Sequence, residues 1–239
     1  MAPRPGEAEV EEIARFLRDS GVGSGARLLD APCGLGRRAR GLAEHGFRVT
    51  AVDPNEVAIA ALRKRLARRL ADRLEYRTAV LARLPDLPAA ERFDAILCLD
   101  HAISRDPPGE DVAFLRRLRG HLAPGGLLAV DLLHRDFFAA RPRPFAYHVI
   151  GDIEQHEFRR FDAVTGVLQL TWKFYHRSGE DLRFRGTSSA RLRLASPHEA
   201  TALLESAGWN VGALHGGWGR EPVTPDRRKI LLVARPARG

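Results

Sequence analysis

The chain has 239 residues, 44% of them hydrophobic, and carries a net charge of +8 from bases that are almost all arginine. That length suits one large domain, or one domain with a substantial insertion, and the composition is enough to bury a core. It has no run of about 18 apolar residues, its acidic, Pro/Gly-containing N-terminus does not read as a leader, and it has only two cysteines, Cys33 and Cys98. These features argue against a membrane span, a disulfide framework and a cysteine-rich zinc site, and make the reducing cytoplasm the expected compartment.

In chain order, residues 7–17 have helical spacing and residues 20–25 form a Gly-containing turn. Residues 26–30 form a short buried strand running straight into Gly34 and Gly36, and residues 37–45 a helix capped by Gly46. A second strand over 47–52 ends at Asp53, and a helix is expected over 55–73. Its cations, Arg63, Lys64, Arg65, Arg68, Arg69 and Arg73, alternate with Leu62, Leu66, Ala67 and Leu70. That is the pattern of a solvated helix face, a better account of the basic charge than a nucleic-acid footprint. Strands follow at 74–80 and 92–99, then a helix over 111–122 closed by Pro124-Gly125-Gly126, and a fifth strand over 127–133. Apolar strands alternating with helices predict parallel βαβ units in a sheet covered on both faces.

Beyond Phe138 the texture changes. Strand-like stretches at 148–153, 157–161, 167–175, 182–186 and 190–194 read as an antiparallel meander. They define an insertion, residues 139–194, within a core made of residues 1–138 and 195–239. Arg183, Arg185, Arg191 and Arg193 should face solvent or a partner chain. Ser196-Pro197-His198-Glu199 has the spacing of a capping box with proline at the first helical position, opening a helix that stops at Gly208. Residues 209–215 and 229–234 close the chain as strands.

The loop from Asp30 to Gly36 stands between a strand and a helix, where glycines admit a close ligand and the helix presents free N–H groups. Asp53, ending the next strand, is placed to hydrogen-bond a ribose diol. Four segments, Asp30-Ala31-Pro32-Cys33-Gly34-Leu35-Gly36, Val49-Thr50-Ala51-Val52-Asp53, Arg92-Phe93-Asp94-Ala95-Ile96-Leu97-Cys98 and Leu122-Ala123-Pro124-Gly125-Gly126-Leu127-Leu128, resemble in order and spacing the motifs of the class I methyltransferases. A dinucleotide-binding dehydrogenase fits less well: the Gly-x-Gly-x-x-Gly pattern is incomplete, and Asp30 would repel a pyrophosphate.

The resemblance implies an α/β fold, a Rossmann-like seven-stranded mixed sheet with helices on both faces, with the last strand antiparallel and an antiparallel β insertion after strand five. It implies S-adenosyl-L-methionine as cofactor. Asp30, Ala31, Cys33, Gly34 and Gly36 would surround its methionine part, Asp53 and Pro54 its ribose, and Ala79, Val80 and Leu99 its adenine side. The adenine stretch departs from the family, because Arg77-Thr78-Ala79-Val80-Leu81 lacks the usual carboxylate.

His101 and His134, after strands four and five, are the candidate bases, since imidazole titrates near neutrality. Arg135 is a candidate clamp for a substrate carboxylate. Tyr147, Trp172 and Tyr175 are candidates to shape an acceptor pocket under the insertion, which also offers a contact for a homodimer. No metal is expected, because the histidines form no ligand pair. The expected acceptor is a small molecule, methylated on O or N. The alternatives are an RNA or protein methyltransferase, for which residues 99–103 lack the Asn/Asp-Pro-Pro-aromatic motif, and a non-catalytic S-adenosylmethionine-binding regulator.

Overall fold

The structure, a computed structural model, describes residues 6–79, 87, 90–104 and 110–237. Seven strands form one sheet in the order β10-β11-β5-β4-β1-β2-β3. Strands β1 (Arg27–Asp30), β2 (Arg48–Asp53), β3 (Leu74–Thr78), β4 (Phe93–Cys98) and β5 (Leu122–Leu133) pair in parallel. The final strand β11 (Lys229–Pro236) runs antiparallel to both β5 and β10 (Trp209–His215), as expected. Alternate residues feed opposite faces: Leu28, Val49, Ala95 and Leu97 enter one core, and Leu29, Val52, Ile96 and Cys98 the other. Near-continuous apolar strands are what a sheet buried on both sides requires.

Helices α1 (Glu7–Asp19), α2 (Arg37–Glu44) and α4 (Asp111–Arg119) lie close to their expected ranges. The helix expected over 55–73 is shorter: α3 spans Glu56–Lys64, and a single 3-10 turn follows at Arg68–Leu70. Lys64/Arg68 and Arg65/Arg69 would stack like charges at i,i+4, and Ala67 instead turns extended, with ψ 134°. Pro124-Gly125-Gly126 is not a turn ahead of β5 but part of it, where the register with β4 shifts. A Cβ on Gly126 would come within 2.9 Å of the Asp94 carbonyl oxygen, so only glycine fits there. Asp94 also ties the sheet together, since its carboxylate accepts the Arg27 N–H at 2.8 Å.

A short helix that the sequence did not suggest, α5 (Arg135–Ala140), follows β5. The insertion then forms a separate antiparallel sheet, β6 (Phe145–Ile150), β7 (Ile153–Asp162), β8 (Val167–Ser178) and β9 (Asp181–Arg193). Five expected segments become four strands, because the polar stretch Thr187-Ser188-Ser189 continues β9 opposite Lys173, Trp172 and Thr171. The register slips between the pairs Phe174–Gly186 and Tyr175–Phe184, a bulge that sequence alternation reads as a break.

The inner face of this sheet, with Leu168, Leu170, Trp172, Ala190 and Leu192, packs with Phe138, Phe137 and Leu133 in a third core. Its outer face carries a chain of ring contacts, Phe158–Phe145–His156–Tyr175–Phe184, with neighbouring centroids 4.8–5.7 Å apart. Arg183, Arg185 and Arg191 are exposed, whereas Arg193 is half-buried. No helix among the described residues is long and apolar enough to cross a membrane.

Helix α6 (Pro197–Ser206) starts with both halves of the capping box: Glu199 N–H to Ser196 Oγ at 3.2 Å, and Ser196 N–H to Glu199 Oε2 at 2.8 Å. Ser196→Ala should lower the unfolding free energy by about 1 kcal/mol, read as a lower denaturant midpoint at unchanged slope.

Candidate functional site

The carboxyl ends of β1, β2, β4 and β5 form one edge of the large sheet, where a doubly covered α/β fold binds its ligands. Its β1/β2 side holds the glycine loop. Asp53 is buried, and its carboxylate accepts the Gly34 N–H and the Asn55 N–H, each at 2.9 Å. Two backbone donors thus fix its orientation, and each oxygen keeps a lone pair for a ligand hydroxyl. Cys33 N–H bonds the Val52 carbonyl at 2.8 Å, and its thiol, pushed up by burial, is inert. Gly36 begins α2 with φ 67°, and a Cβ there would meet the Tyr76 ring at 2.8 Å.

Asp30 is different in kind. It is 1% exposed, and neither carboxylate oxygen has a hydrogen-bond partner. Burial lifts its pKa to about 7; Arg38 opposes the rise, and Asp100 and Asp53 add to it. A buried carboxyl without a donor, at the head of a glycine loop, fits the ammonium group of an amino-acid-bearing cofactor. Ala31 and Leu99 are buried around it, Ala79 bonds the Asp53 carbonyl, and Pro54 is exposed at the rim. Val80, also expected here, lies outside the described residues, as do Leu81 and Asp106-Pro107-Pro108.

The β4/β5 side opens into a cavity of about 730 Å³ between the sheet edge and the insertion. Asp100, His101, Asp131, Leu133 and Lys229 line it from the large sheet, and Glu157, Leu170, Trp172, Ala190 and Leu192 from the insertion. The two sides are joined by a chain of charges. Arg38 donates to Asp100 at 2.5 Å and to Glu9 of α1 at 3.3 Å. Lys229 Nζ bridges Asp100 at 2.9 Å and Asp131 at 2.8 Å. Burial alone would raise Asp100, but Lys229 and Arg38 outweigh it and hold the group down at about 2. Asp131 is fully enclosed, and burial pushes it up despite Lys229.

Glu9, Asp100 and Asp131 lie close enough together to suggest a cation site, but Arg38 and Lys229 already occupy that role.

The structure brings together only part of the expected acceptor set. Trp172 lines the cavity, with its indole N–H on Glu157 at 3.1 Å. Tyr147 and Tyr175 do not line it: they stand on the outer face, because the pleat sends residues of odd and even position to opposite sides. Arg135 does not line it either; α5 turns it away to Glu199, 2.9 Å from both carboxylate oxygens.

His101 is in the cavity wall, but both ring nitrogens are engaged by backbone. Nδ1 accepts the Leu133 N–H, and Nε2 meets the Arg193 carbonyl, both at 3.2 Å. With φ 58°, beside Asp100 at 56°, it pins a left-handed corner. His134 is buried away from the cavity, with Nδ1 3.1 Å from the Arg227 carbonyl. Neither is poised as a base in this arrangement.

Sequence reasoning passed over Arg38, Asp131 and Lys229. Asp131 had a signal, as an acid inside an otherwise apolar strand, and Lys229 is one of only three lysines.

Comparison with known proteins follows the same division. The methyltransferase-domain family matches residues 28–126. A ubiquinone biosynthesis O-methyltransferase of Caulobacter sp. (strain K31) is 37% identical over 128 residues, 52% of this chain and 49% of that protein. A glycine N-methyltransferase of Rattus norvegicus is 34% identical over 46% of this chain and 41% of its own length. The chain thus spans about half the length of the curated relatives it matches. Among solved structures, the CcbJ methyltransferase from Streptomyces caelestis superposes with a TM-score of 0.80 at 21% identity, covering 99% of this chain and 92% of its own. The sugar N-methyltransferase KedS8 from Streptoalloteichus sp. ATCC 53650 superposes with a TM-score of 0.73 at 22% identity, over 97% and 87%. These two establish the shared fold, including the insertion.

The raised pKa of Asp30 fixes a sign. The unfolded carboxyl titrates near 3.9 and the folded one near 7, so its contribution to stability is full below about pH 4 and is lost as pH rises through 7. Without ligand, wild type should lose stability against Asp30→Asn between pH 4 and 8, by roughly 4 kcal/mol at most. Parallel pH profiles of denaturant unfolding for the two proteins would remove the assignment.

Proposed function

Residues 28–126 form a methyltransferase domain of the class I, S-adenosylmethionine-dependent family, and from that premise we propose that the chain methylates an O or N atom of a small organic acceptor held beneath the insertion sheet. The observation that carries this reading is the orphaned Asp30 carboxyl, on the same sheet edge as the cavity under the insertion. S-adenosylmethionine, when bound, supplies a methyl activated on a sulfonium.

This chain's residues align and enclose. Asp30 pairs with the cofactor's ammonium and Asp53 with its ribose hydroxyls. The Cys33–Gly36 loop gives the backbone room, and Ala79 and Leu99 flank the adenine. Asp100 faces the cavity, is ionised at any working pH and accepts a hydrogen bond from the acceptor's N–H or O–H. It orients the nucleophile without being basic enough to deprotonate it, so alignment is the main contribution of the protein. His101 acts through Asp100, as a positioning residue. Leu170, Trp172 and Leu192 exclude water from the reacting pair.

A roofed cavity of about 730 Å³ suits a small molecule better than an RNA strand or a protein segment. Its carboxylates favour an acceptor that donates hydrogen bonds, an amine above all. Product formation from a labelled methyl donor and a metabolite pool separates this reading from a non-catalytic regulator.

The outer stripe is the surface through which a homodimer would form, since Tyr147 is 62% and Phe184 56% exposed.

Calorimetry with S-adenosylhomocysteine should show tight binding to wild type and a loss of about 1–3 kcal/mol in Asp53→Ala. Unchanged affinity would displace Asp53 from the ribose. In sedimentation velocity, wild type should run as a dimer and the triple change Phe145→Ser, Tyr147→Ser, Phe184→Ser as a monomer. A monomeric wild type overturns the dimer.

A further inference from the structure

The cavity contains one cation that its neighbours leave unmatched. Lys229 is held by two carboxylates, and Arg227 lies 3.6 Å from Glu221. Arg228, which lines the same cavity, has no hydrogen-bonded or ion-paired side-chain partner among the described residues. The acid that acts on it most strongly, Glu157, is already engaged, by the Arg159 guanidinium and by the Trp172 indole N–H at 3.1 Å. Although Arg228 is exposed overall, partial desolvation and the Arg159 charge weaken its hold on its proton, and Glu157 and Asp100 only partly offset them. This corner therefore carries excess positive charge against an apolar wall of Phe138, Leu170 and Leu192.

The guanidinium lies over an aromatic ring, and its backbone is fixed. Its carbon lies 5.8 Å from the centre of the Phe138 ring. Its backbone is clamped by buried His134, whose N–H bonds the Arg228 carbonyl at 2.9 Å and whose ring reaches the Arg227 carbonyl at 3.1 Å. Arg228 is exposed at the cavity wall and has no paired carboxylate there, and such an unpaired guanidinium is an oxyanion receptor, with planar donors that match a carboxylate or phosphate.

We propose that Arg228 binds an oxyanion on the methyl acceptor, so that the acceptor is a small molecule with a nucleophilic N or O at Asp100 and a carboxylate or phosphate at Arg228. This rests on the reading of the cavity as the acceptor site. The anion contact that the sequence pattern assigned to Arg135 moves to Arg228, because Glu199 occupies Arg135.

The test uses the full chain loaded with S-adenosylhomocysteine, and two probes, phenyl phosphate and benzoate, titrated by calorimetry. Wild type should bind at least one of them saturably, the stronger arm telling phosphate from carboxylate. Arg228→Gln should weaken it by about tenfold or more, Arg228→Lys by less, and Arg183→Gln, at an exposed position outside the cavity lining, by nothing. Equal affinity in Arg228→Gln overturns the proposal, as does a wild type that binds neither probe. S-adenosylhomocysteine affinity is measured in every variant. Its retention alongside failure of the probes isolates the oxyanion site, and its loss in wild type indicts the cofactor reading instead.

Discussion

The arrangement depends on one run of charges. Glu9, Arg38, Asp100, Lys229 and Asp131 alternate in sign along the carboxyl edge of the sheet, and they come from α1, α2, the end of β4, β11 and β5. Each carboxylate is matched by a cation; at Asp100 the two cations outweigh burial, whereas at the enclosed Asp131 burial still pushes the pKa up. Asp131 is the innermost member. It accepts the Asp100 N–H at 2.5 Å and the Lys229 ammonium, while its carbonyl takes the His101 N–H. Two consecutive left-handed residues, Asp100 and His101, are stabilised in that way, and the Asp100 carboxylate is aimed into the cavity. The His101 ring then carries the constraint across to the Arg193 carbonyl in β9, tying the insertion to the sheet edge.

Asp30 is the complement of this network. Arg38 lies near enough to influence it, but its Nη2 donates to Glu9 and Asp100 and its buried Nε meets no acceptor, so the Asp30 carboxyl receives no hydrogen bond. A folded chain with such a group is less stable than it could be. A ligand that brought a positive charge or a hydrogen-bond donor to this loop would relieve that defect. One end of the sheet edge is thus electrostatically complete and rigid, and the other is left incomplete at a single buried carboxyl.

The insertion has two faces with different tasks. Inward, Leu168, Leu170 and Leu192 give it a core of its own with α5, and Trp172 and Glu157 extend that face over the cavity. Outward, the pleat collects exposed Phe145, Phe158 and Phe184 and half-buried Tyr175 into a stripe that no described residue covers. The cavity is built where the two sheets meet, so its lining mixes residues more than a hundred positions apart.

The alternation of apolar strands with helices, the glycine loop after Asp30, the acid closing β2 and the capping box at Ser196 are local patterns, and each was legible in the sequence together with the fold class, the mixed sheet and the cofactor. Strand pleat alone also separates Trp172 from Tyr175, but not which of the two faces inward; that is set by what the sheet packs on. The helix expected through residue 73 stopped early, where like charges at Lys64/Arg68 and Arg65/Arg69 oppose its helical spacing. His101, His134 and Arg135 had the right chemistry in the right stretch, yet backbone carbonyls and Glu199 claimed them, and those partners lie up to 93 positions away. Lys229 reaches Asp100 across 129 positions for the same reason. Backbone propensity and side-chain period act over a few residues and can be read in order along the chain. Which buried charge meets which, and which guanidinium is left without a partner, follows from strands brought side by side, and only the tertiary structure decided it.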